Sequence, residues 1–152
     1  MTSQRAFGSF PTSVTAYLSR ILCEIFPWPA NIRLMRFLNG IHLKPGELEA
    51  VIKSVKKKTP CNLLVFGLGN DSQLWAQLNE GGNTIFLEDK DDWYKTIQQR
   101  DHRIRAYLVD YQTKRSQWQK LLNAPDLLEM PLPNEIEKTA WDIILVDGPN
   151  RF

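Results

Sequence analysis

The chain has 152 residues, of which 43% are hydrophobic and 24% are charged. This is the composition of an ordinary globular domain, and it excludes a disordered or fibrous protein. Nineteen basic and seventeen acidic side chains leave a net charge of +2. That charge is too balanced to indicate a nucleic-acid partner or an anionic membrane surface. Two cysteines, Cys23 and Cys61, exclude a disulfide framework and a zinc site built mainly from cysteine.

The first residues do not have the pattern of a signal peptide, and no apolar stretch approaches the roughly 20 residues of a membrane span. We therefore expect no membrane span, and a cytoplasmic location is favoured.

Three helices are predicted before residue 60. Apolar residues follow helical spacing over residues 14–25, and Pro27 ends that pattern. A second helix is predicted over 29–38 and is closed by Asn39-Gly40. The third begins at Pro45 and ends in three lysines, which compensate the helix dipole. We predict a helical extension over residues 1–42 and one further domain over 43–152.

After residue 60, short apolar runs alternate with helical patterns, which is typical of βαβ units around a parallel sheet. The predicted strands cover residues 63–66, 84–87, 104–108 and 143–146. The predicted helices between them cover residues 72–78, 91–99 and 114–122. Residues 123–139 contain three prolines and are predicted to form a long loop. The pattern predicts a three-layer α/β domain.

A glycine-rich turn joins the first strand to the following helix. Gly67 and Gly69 stand where a ligand could approach the backbone, with a helix N-terminus behind it. A dinucleotide-binding motif would have its third glycine at position 72, which is Ser72, so a pyrophosphate ligand is disfavoured. A tight turn without any ligand remains the alternative.

Acidic residues follow the other three predicted strands. Glu88 lies about 20 residues beyond Gly67, where it could accept hydrogen bonds from both ribose hydroxyls of a nucleoside. Asp110 and Tyr111 follow the third strand, near the place of an adenine ring. Asp147 follows the fourth strand and could orient a reacting group or accept a proton. The alternatives are a solvated turn acid, a helix cap or surface aromatic, and an Asp-Gly turn, respectively.

Other chemistry-bearing residues receive no catalytic assignment. Trp75, Trp93 and Trp118 lie at helical spacing and are predicted to belong to the core rather than to a cofactor platform. His42 and His102 have no acid or cysteine partner in the pattern. Since no histidine cluster has metal-ligand spacing, no metal site is predicted.

Four blocks of the sequence carry a resemblance to a known family: residues 60–72 with Trp75, 78–89 with Trp93, 111–113, and 141–149. Over about residues 45–150 the chain resembles the plant glucuronoxylan 4-O-methyltransferase family and the xylan-biosynthesis proteins grouped with it. The resemblance implies a Rossmann-like class I fold that uses S-adenosylmethionine. It also implies methyl transfer to the 4-hydroxyl of a glucuronic acid side chain on a polysaccharide.

The resemblance and the strand ends together give a set of candidate site residues. The candidates for cofactor binding are Gly67, Gly69, Asp71, Glu88, Asp110 and Tyr111, and Asp147 is the catalytic candidate. Plant members commonly carry His where this chain has Asn70, so no role is transferred to that side chain. They usually also carry an N-terminal Golgi anchor, and their domain continues beyond the Asp-Gly-Pro turn.

We therefore expect a fold that is incomplete at its C-terminal end, with its fourth strand left as an exposed edge. Such an edge could recruit a second copy or a partner chain. Two other functions stay open: a non-catalytic partner in polysaccharide biosynthesis, and an oxidoreductase that binds a nucleotide cofactor.

Overall fold

The computed structural model describes residues 28–111, 115–124 and 130–147, together with Val14 and Ile21. Its helices are α1 (Trp28–Asn39), α2 (Pro45–Lys58), α3 (Ser72–Leu78), α4 (Asp91–Arg100), α5 (Trp118–Leu122) and α6 (Asn134–Lys138). Its strands are β1 (Asn62–Phe66), β2 (Asn83–Glu88), β3 (Ala106–Leu108) and β4 (Ile143–Val146). The helix predicted over 14–25 lies outside the described residues, apart from Val14 and Ile21, which are helical. The Gly148-Pro149 turn also lies outside them.

The four strands form one parallel sheet in the order β3-β2-β1-β4. At the carboxyl end of β1, Phe66 lies beside Leu87 of β2 on one side and Val146 of β4 on the other. The parallel sheet with flanking helices confirms the predicted α/β class. It is consistent with part of a Rossmann-like methyltransferase fold, in which the first strand lies between the second and the fourth.

Helices α1 to α4 cover one face of this sheet. Apolar side chains of α2, including Leu48 and Ile52, belong to the same buried cluster as Val65 and Phe86 of the strands. Ile32 of α1 is in that cluster as well, so α1 contributes to the main core. The predicted division at residue 42 stays a prediction.

The opposite face is covered by a segment that the sequence analysis treats as a loop. Residues 134–138 form α6, and Ile136 is buried against Leu64, Ile85 and Leu87 of the sheet. Pro133 precedes the helix, and acidic residues lie in its first turn, where they interact favourably with the helix dipole. A helix of five residues offers too few positions for an apolar period to be recognised.

The predicted stop signal of α1 is confirmed. Gly40 has a φ of 61°, and the Ile41 N–H donates to the Arg36 carbonyl at 3.1 Å. This is a Schellman ending, which needs a residue that tolerates the left-handed region. Helix α2 starts where the Glu47 carboxylate accepts the Lys44 N–H at 2.8 Å.

Two elements differ from the prediction at their boundaries. Strand β3 begins at Ala106 rather than at residue 104, although Ile104 is buried. A 3₁₀ turn over Arg115–Gln117 precedes α5 in the region where one longer helix is predicted. None of the helices in the described ranges combines the length and apolar character that a membrane crossing requires.

Strand β4 pairs with β1 and with no other described strand. Its side chains alternate in exposure, and Ile144 and Val146 are 57% and 53% exposed. The described part of the sheet therefore has an apolar edge at β4, as predicted.

Candidate functional site

The glycine turn after β1 is held by hydrogen bonds that the N–H groups of both glycines donate. Gly67 has a φ of 128°, which only glycine adopts readily, and its N–H donates to the Leu87 carbonyl at 2.8 Å. The Gly69 N–H donates to the Ser72 hydroxyl at 2.8 Å. Ser72, which departs from a dinucleotide motif, is therefore the side chain that closes this turn onto α3.

Glu88 fastens the same turn to the end of β2. Its side chain is fully buried, and Oε2 accepts the Leu68 N–H at 2.9 Å. Its other oxygen, Oε1, accepts the N–H groups of Asp89 and Lys90 at 3.0 Å each. A carboxylate offers about four acceptor positions, so backbone groups take most of them here. The Glu88 carboxylate therefore shapes the turn, and its predicted contact with a ribose stays a prediction.

Asp71 and Asp147 come together at the carboxyl edge of the sheet. The Asp147 N–H donates to the Phe66 carbonyl at 2.8 Å, which fixes Asp147 beside the glycine turn. Asp71 is 6% exposed and immediately precedes α3. Burial, followed by the negative charge of Asp147, raises the pKa of the Asp71 carboxyl to about 7. The two carboxyl groups therefore lie close enough for each to act on the other.

Trp75 lies one helical turn beyond Asp71 and is 1% exposed. Its indole N–H lowers the pKa of Asp71, although its nitrogen is outside hydrogen-bonding geometry with any described group. The Trp75 ring is in the main buried cluster, as predicted. The polar end of this core residue is therefore buried beside the Asp71 carboxyl.

Gly69 leaves space that the neighbouring Asp71 side chain occupies. A Cβ at this position would lie 2.6 Å from Oδ1 of Asp71, which is closer than real contacts allow. The missing side chain therefore makes room for the Asp71 carboxyl. Whether a ligand also approaches the Gly69 backbone stays a prediction.

The remaining candidates lie at the end of β3. Asp110 is exposed, and Tyr111 is half-buried against the core that contains Ile136. Neither residue belongs to the contacts described around Glu88 and Asp71. Their predicted places near an adenine ring stay predictions.

Sequence reasoning missed the contact that Trp93 makes with the turn. The Trp93 indole N–H donates to the Leu68 carbonyl, and the Arg100 guanidinium lies 5.9 Å from the centre of the Trp93 ring. The Arg100 side chain also donates to Oδ1 of Asn70 at 3.2 Å. An open cleft of about 450 Å³ adjoins this face of α4 and is lined in part by Lys90, Trp93 and Thr96. Helix α4 thus forms a wall beside the turn.

Comparison with known proteins agrees with this architecture. The sequence model of the family described as IRX15/IRX15L/GXM matches residues 46–130. Glucuronoxylan 4-O-methyltransferase 1 of Arabidopsis thaliana is 38% identical over 122 residues, covering 70% of this chain and 43% of that protein. Arabinogalactan O-methyltransferase 2 of the same plant is 36% identical over 126 residues, with the same coverage.

Protein IRX15-LIKE of Arabidopsis thaliana is 31% identical over 131 residues, which cover 73% of this chain and 41% of that protein. The chain thus spans less than half the length of these curated relatives. No solved structure gives a significant match. The match over residues 46–130 includes β1, the glycine turn, Glu88 and β3, and on this basis the chain belongs to the IRX15/IRX15L/GXM family.

Proposed function

We propose that this chain carries the methyl-donor site of a polysaccharide O-methyltransferase and that its donor is S-adenosylmethionine. The observation that carries the proposal is the meeting of the glycine turn, Glu88 and the Asp71–Asp147 carboxyl groups at one edge of a parallel sheet. Open α/β sheets bind ligands at this edge, outside the carboxyl ends of their strands.

The charge of the edge favours this donor over a dinucleotide. Glu88 and Asp147 bring negative charge to these strand ends, and that charge would repel the pyrophosphate of a nicotinamide cofactor. The same acids suit a ligand that has ribose hydroxyls and a positive sulfonium. The residues therefore fit S-adenosylmethionine, which supplies an electrophilic methyl group when it is bound.

Each candidate residue has a place in the proposed site. Gly67 and Gly69 form the turn beside the methionine part, and Glu88, whose carboxylate also fastens that turn, is assigned to the ribose. Asp110 and Tyr111 lie towards the adenine. Asp147 faces the oxygen that receives the methyl group, and alignment of that hydroxyl supplies most of the rate.

The acceptor that we propose is a hydroxyl of a plant-type polysaccharide. Two kinds of relatives support this class, since they are named as glucuronoxylan and arabinogalactan O-methyltransferases. The 4-hydroxyl of glucuronic acid is the finer proposal. It is tested by comparing glucuronoxylan with arabinogalactan as acceptors and locating the methyl group in the product.

Calorimetry on the whole chain tests the donor. We expect S-adenosylmethionine and S-adenosylhomocysteine to bind, and NAD to bind at least tenfold more weakly. Tighter binding of NAD would contradict the proposal.

A substitution at Glu88 tests the placement of the donor within the site. Glu88→Gln should weaken donor binding about tenfold or more, because one charged acceptor becomes an amide. Glu137→Gln is the control, since Glu137 is exposed on α6 and away from the turn. Equal affinities in both folded variants would move the ribose contact elsewhere.

A second candidate function is a non-catalytic partner in polysaccharide biosynthesis. It is favoured by a relative whose name, Protein IRX15-LIKE, states no transferase activity. A chain that binds the donor but transfers no methyl to either polysaccharide would support this candidate over the enzyme.

A further inference from the structure

Asp71 and Asp147 reach each other from distant parts of the chain. Asp147 follows β4, which pairs in parallel with β1, so it emerges beside the residue that follows β1. Asp71 lies at the start of α3, on the far side of the glycine turn. The absence of a side chain at Gly69 lets the Asp71 carboxyl fold back over the turn. The sheet register and the turn together bring the two acids to the same place at the carboxyl ends of the strands.

The surroundings of Asp71 give its carboxyl group little compensation for a negative charge. It is 6% exposed, and no ion pair among the described residues includes it. Asp147 is the charged group that acts on it, and burial adds to the effect of that like charge. Two carboxyl groups in contact cannot both be ionised at low cost, so such a pair holds one proton near neutral pH.

The buried indole of Trp75 is a second polar group beside the Asp71 carboxyl. Its Nε1 has no hydrogen bond among the described residues although the ring is 1% exposed. A buried donor left without an acceptor is costly, and such groups concentrate at functional sites. The Asp71 carboxyl therefore has two polar neighbours. One is the Asp147 carboxyl, with which it shares a proton, and the other is the Trp75 indole N–H, which has no hydrogen bond among the described residues.

We propose that Asp71 and Asp147 act as one proton-sharing pair in methyl transfer. Asp147 accepts the proton of the acceptor hydroxyl, and Asp71, as a neutral acid, donates a hydrogen bond that positions the Asp147 carboxylate. This assignment rests on the proposed function. A new bond forms between the hydroxyl oxygen and the methyl carbon. The carbon–sulfur bond of the donor breaks, and its electron pair stays on sulfur, which becomes neutral. The hydroxyl proton passes to the Asp147 carboxylate, and the pair later releases one proton to water.

The pair predicts a difference between two substitutions at the same position. Asp71→Asn keeps a neutral side chain that can donate to Asp147, whereas Asp71→Ala removes the donor. We expect Asp71→Asn to retain at least one third of the transfer rate and Asp71→Ala to lose more than tenfold. Equal losses in both variants would show that Asp71 does not position Asp147 through a hydrogen bond.

The carboxyl titration provides a readout that does not depend on activity. In the ligand-free chain, ¹³C NMR of labelled aspartates should show Asp71 titrating near neutral pH. Asp147→Asn should lower that midpoint by at least one pH unit, because a like charge is removed. A midpoint for Asp71 near the ordinary aspartate value of about 4 in the wild-type chain would overturn the pair.

The closing experiment separates this proposal from the proposed function. Donor binding and methyl transfer to glucuronoxylan are measured for the wild-type chain, Asp147→Asn and the control Glu137→Gln. We expect Asp147→Asn to bind the donor within about threefold of wild type and to lose at least 100-fold in transfer rate. A wild-type chain that binds no donor overturns the proposed function, and one that binds donor without transferring methyl overturns the assignment of the pair to methyl transfer. Transfer that survives Asp147→Asn within twofold overturns the pair alone.

Discussion

The amino ends and the carboxyl ends of the parallel strands, called the amino edge and the carboxyl edge, differ in how their buried polar groups are paired. At the amino edge, Asn79 is 1% exposed and forms a reciprocal pair with the Cys61 backbone, with bonds of 2.8 and 2.9 Å. Glu135 accepts from Tyr107 and from Arg105, and both bonds lower the pKa of its carboxyl. At the carboxyl edge, Asp71 is instead buried against another acid, and its pKa is raised.

This difference distinguishes polar groups that stabilise the fold from polar groups whose arrangement serves a functional site. At the amino edge the buried amide has complementary partners and the acid has a cation, so these groups contribute to stability. The pair at the carboxyl edge costs stability at neutral pH, because a buried charge meets a like charge. An arrangement that lowers stability and lies beside a glycine-rich turn is typical of a functional site.

The largest loss of stability is expected at the amino edge. Asn79→Ala would leave the Cys61 N–H and carbonyl, as well as the Thr84 hydroxyl, without this partner. We expect the free energy of unfolding to fall by about 3 kcal/mol, measured by urea denaturation. Donor affinity of the folded chain should not change.

Asn123→Ala is the matched control for that substitution, because Asn123 is exposed. It should change stability by less than about 0.5 kcal/mol. If Asn79→Ala instead weakened donor binding more than its effect on folding explains, the separation between the two edges would not hold.

At the carboxyl edge, Asp71→Asn should raise stability at high pH. Between pH of about 4 and 7 the folded chain keeps the Asp71 proton and the unfolded chain has lost it. The contribution of Asp71 to stability is therefore full at low pH and is lost as the pH rises through this window. At pH 8 we expect Asp71→Asn to be more stable than wild type by about 2 kcal/mol.

Urea denaturation at pH 5 and pH 8 measures this effect, with the exposed Asp92→Asn as the control. The gain should be smaller at pH 5, where Asp71 is protonated in the folded wild-type chain. An equal gain at both pH values would contradict a raised pKa for Asp71.

Gly69 offers a steric way to separate the pair. In Gly69→Ala the new Cβ would displace the Asp71 carboxyl, at a cost of about 1–2 kcal/mol in stability. The displaced carboxyl becomes more exposed, so its titration midpoint should move down towards the ordinary aspartate value. NMR titration and denaturation of the same sample measure both effects.

Gly46→Ala is the matched control, since a Cβ at Gly46 in α2 would meet no atom within 4 Å. Alanine is favoured in a helix, so this variant should gain up to about 1 kcal/mol. An unchanged Asp71 midpoint in Gly69→Ala would show that the turn adapts without moving the carboxyl.

The smallest effect on stability is expected at the exposed side of β4. An apolar strand edge recruits other chains, so we expect the wild-type chain to self-associate at tens of micromolar in light scattering. Ile144→Lys should reduce this association while changing stability by less than about 0.5 kcal/mol. Leu122→Lys, at a similarly exposed position on α5, should leave the association unchanged. A wild-type chain that stays monomeric over this range would contradict the prediction.

Much of the fold could be predicted because buried parallel strands have unbroken apolar sequences. The bounds of β4 and α3 agree with the predicted ranges. Helix α6 could not be found, since Ile136 is the only buried residue in its single turn. The start of β3 also could not be found, because Ile104 is buried by packing rather than by strand pairing.

The site was predictable to the level of the sheet edge and no further. Parallel strands end together, so the meeting of Gly67 and Glu88 follows from the strand assignment. The contact between the carboxyl groups of Asp71 and Asp147 depends on the room beside Gly69 and on side-chain direction. Neither the space beside Gly69 nor the direction of a side chain can be recognised from the pattern of residue types.

The connectivity of the sheet also sets an order in which the site can assemble. The glycine turn and the Glu88 carboxylate that fastens it lie within one contiguous strand–helix–strand unit, Asn62 to Glu88. Asp147 reaches the same place only after β4 has docked on β1, across a long stretch of intervening chain. Contacts between distant segments form late, because closing a long loop costs entropy. We expect hydrogen exchange during refolding to protect Leu68 before Asp147, so that the nascent chain acquires its turn before its acid pair.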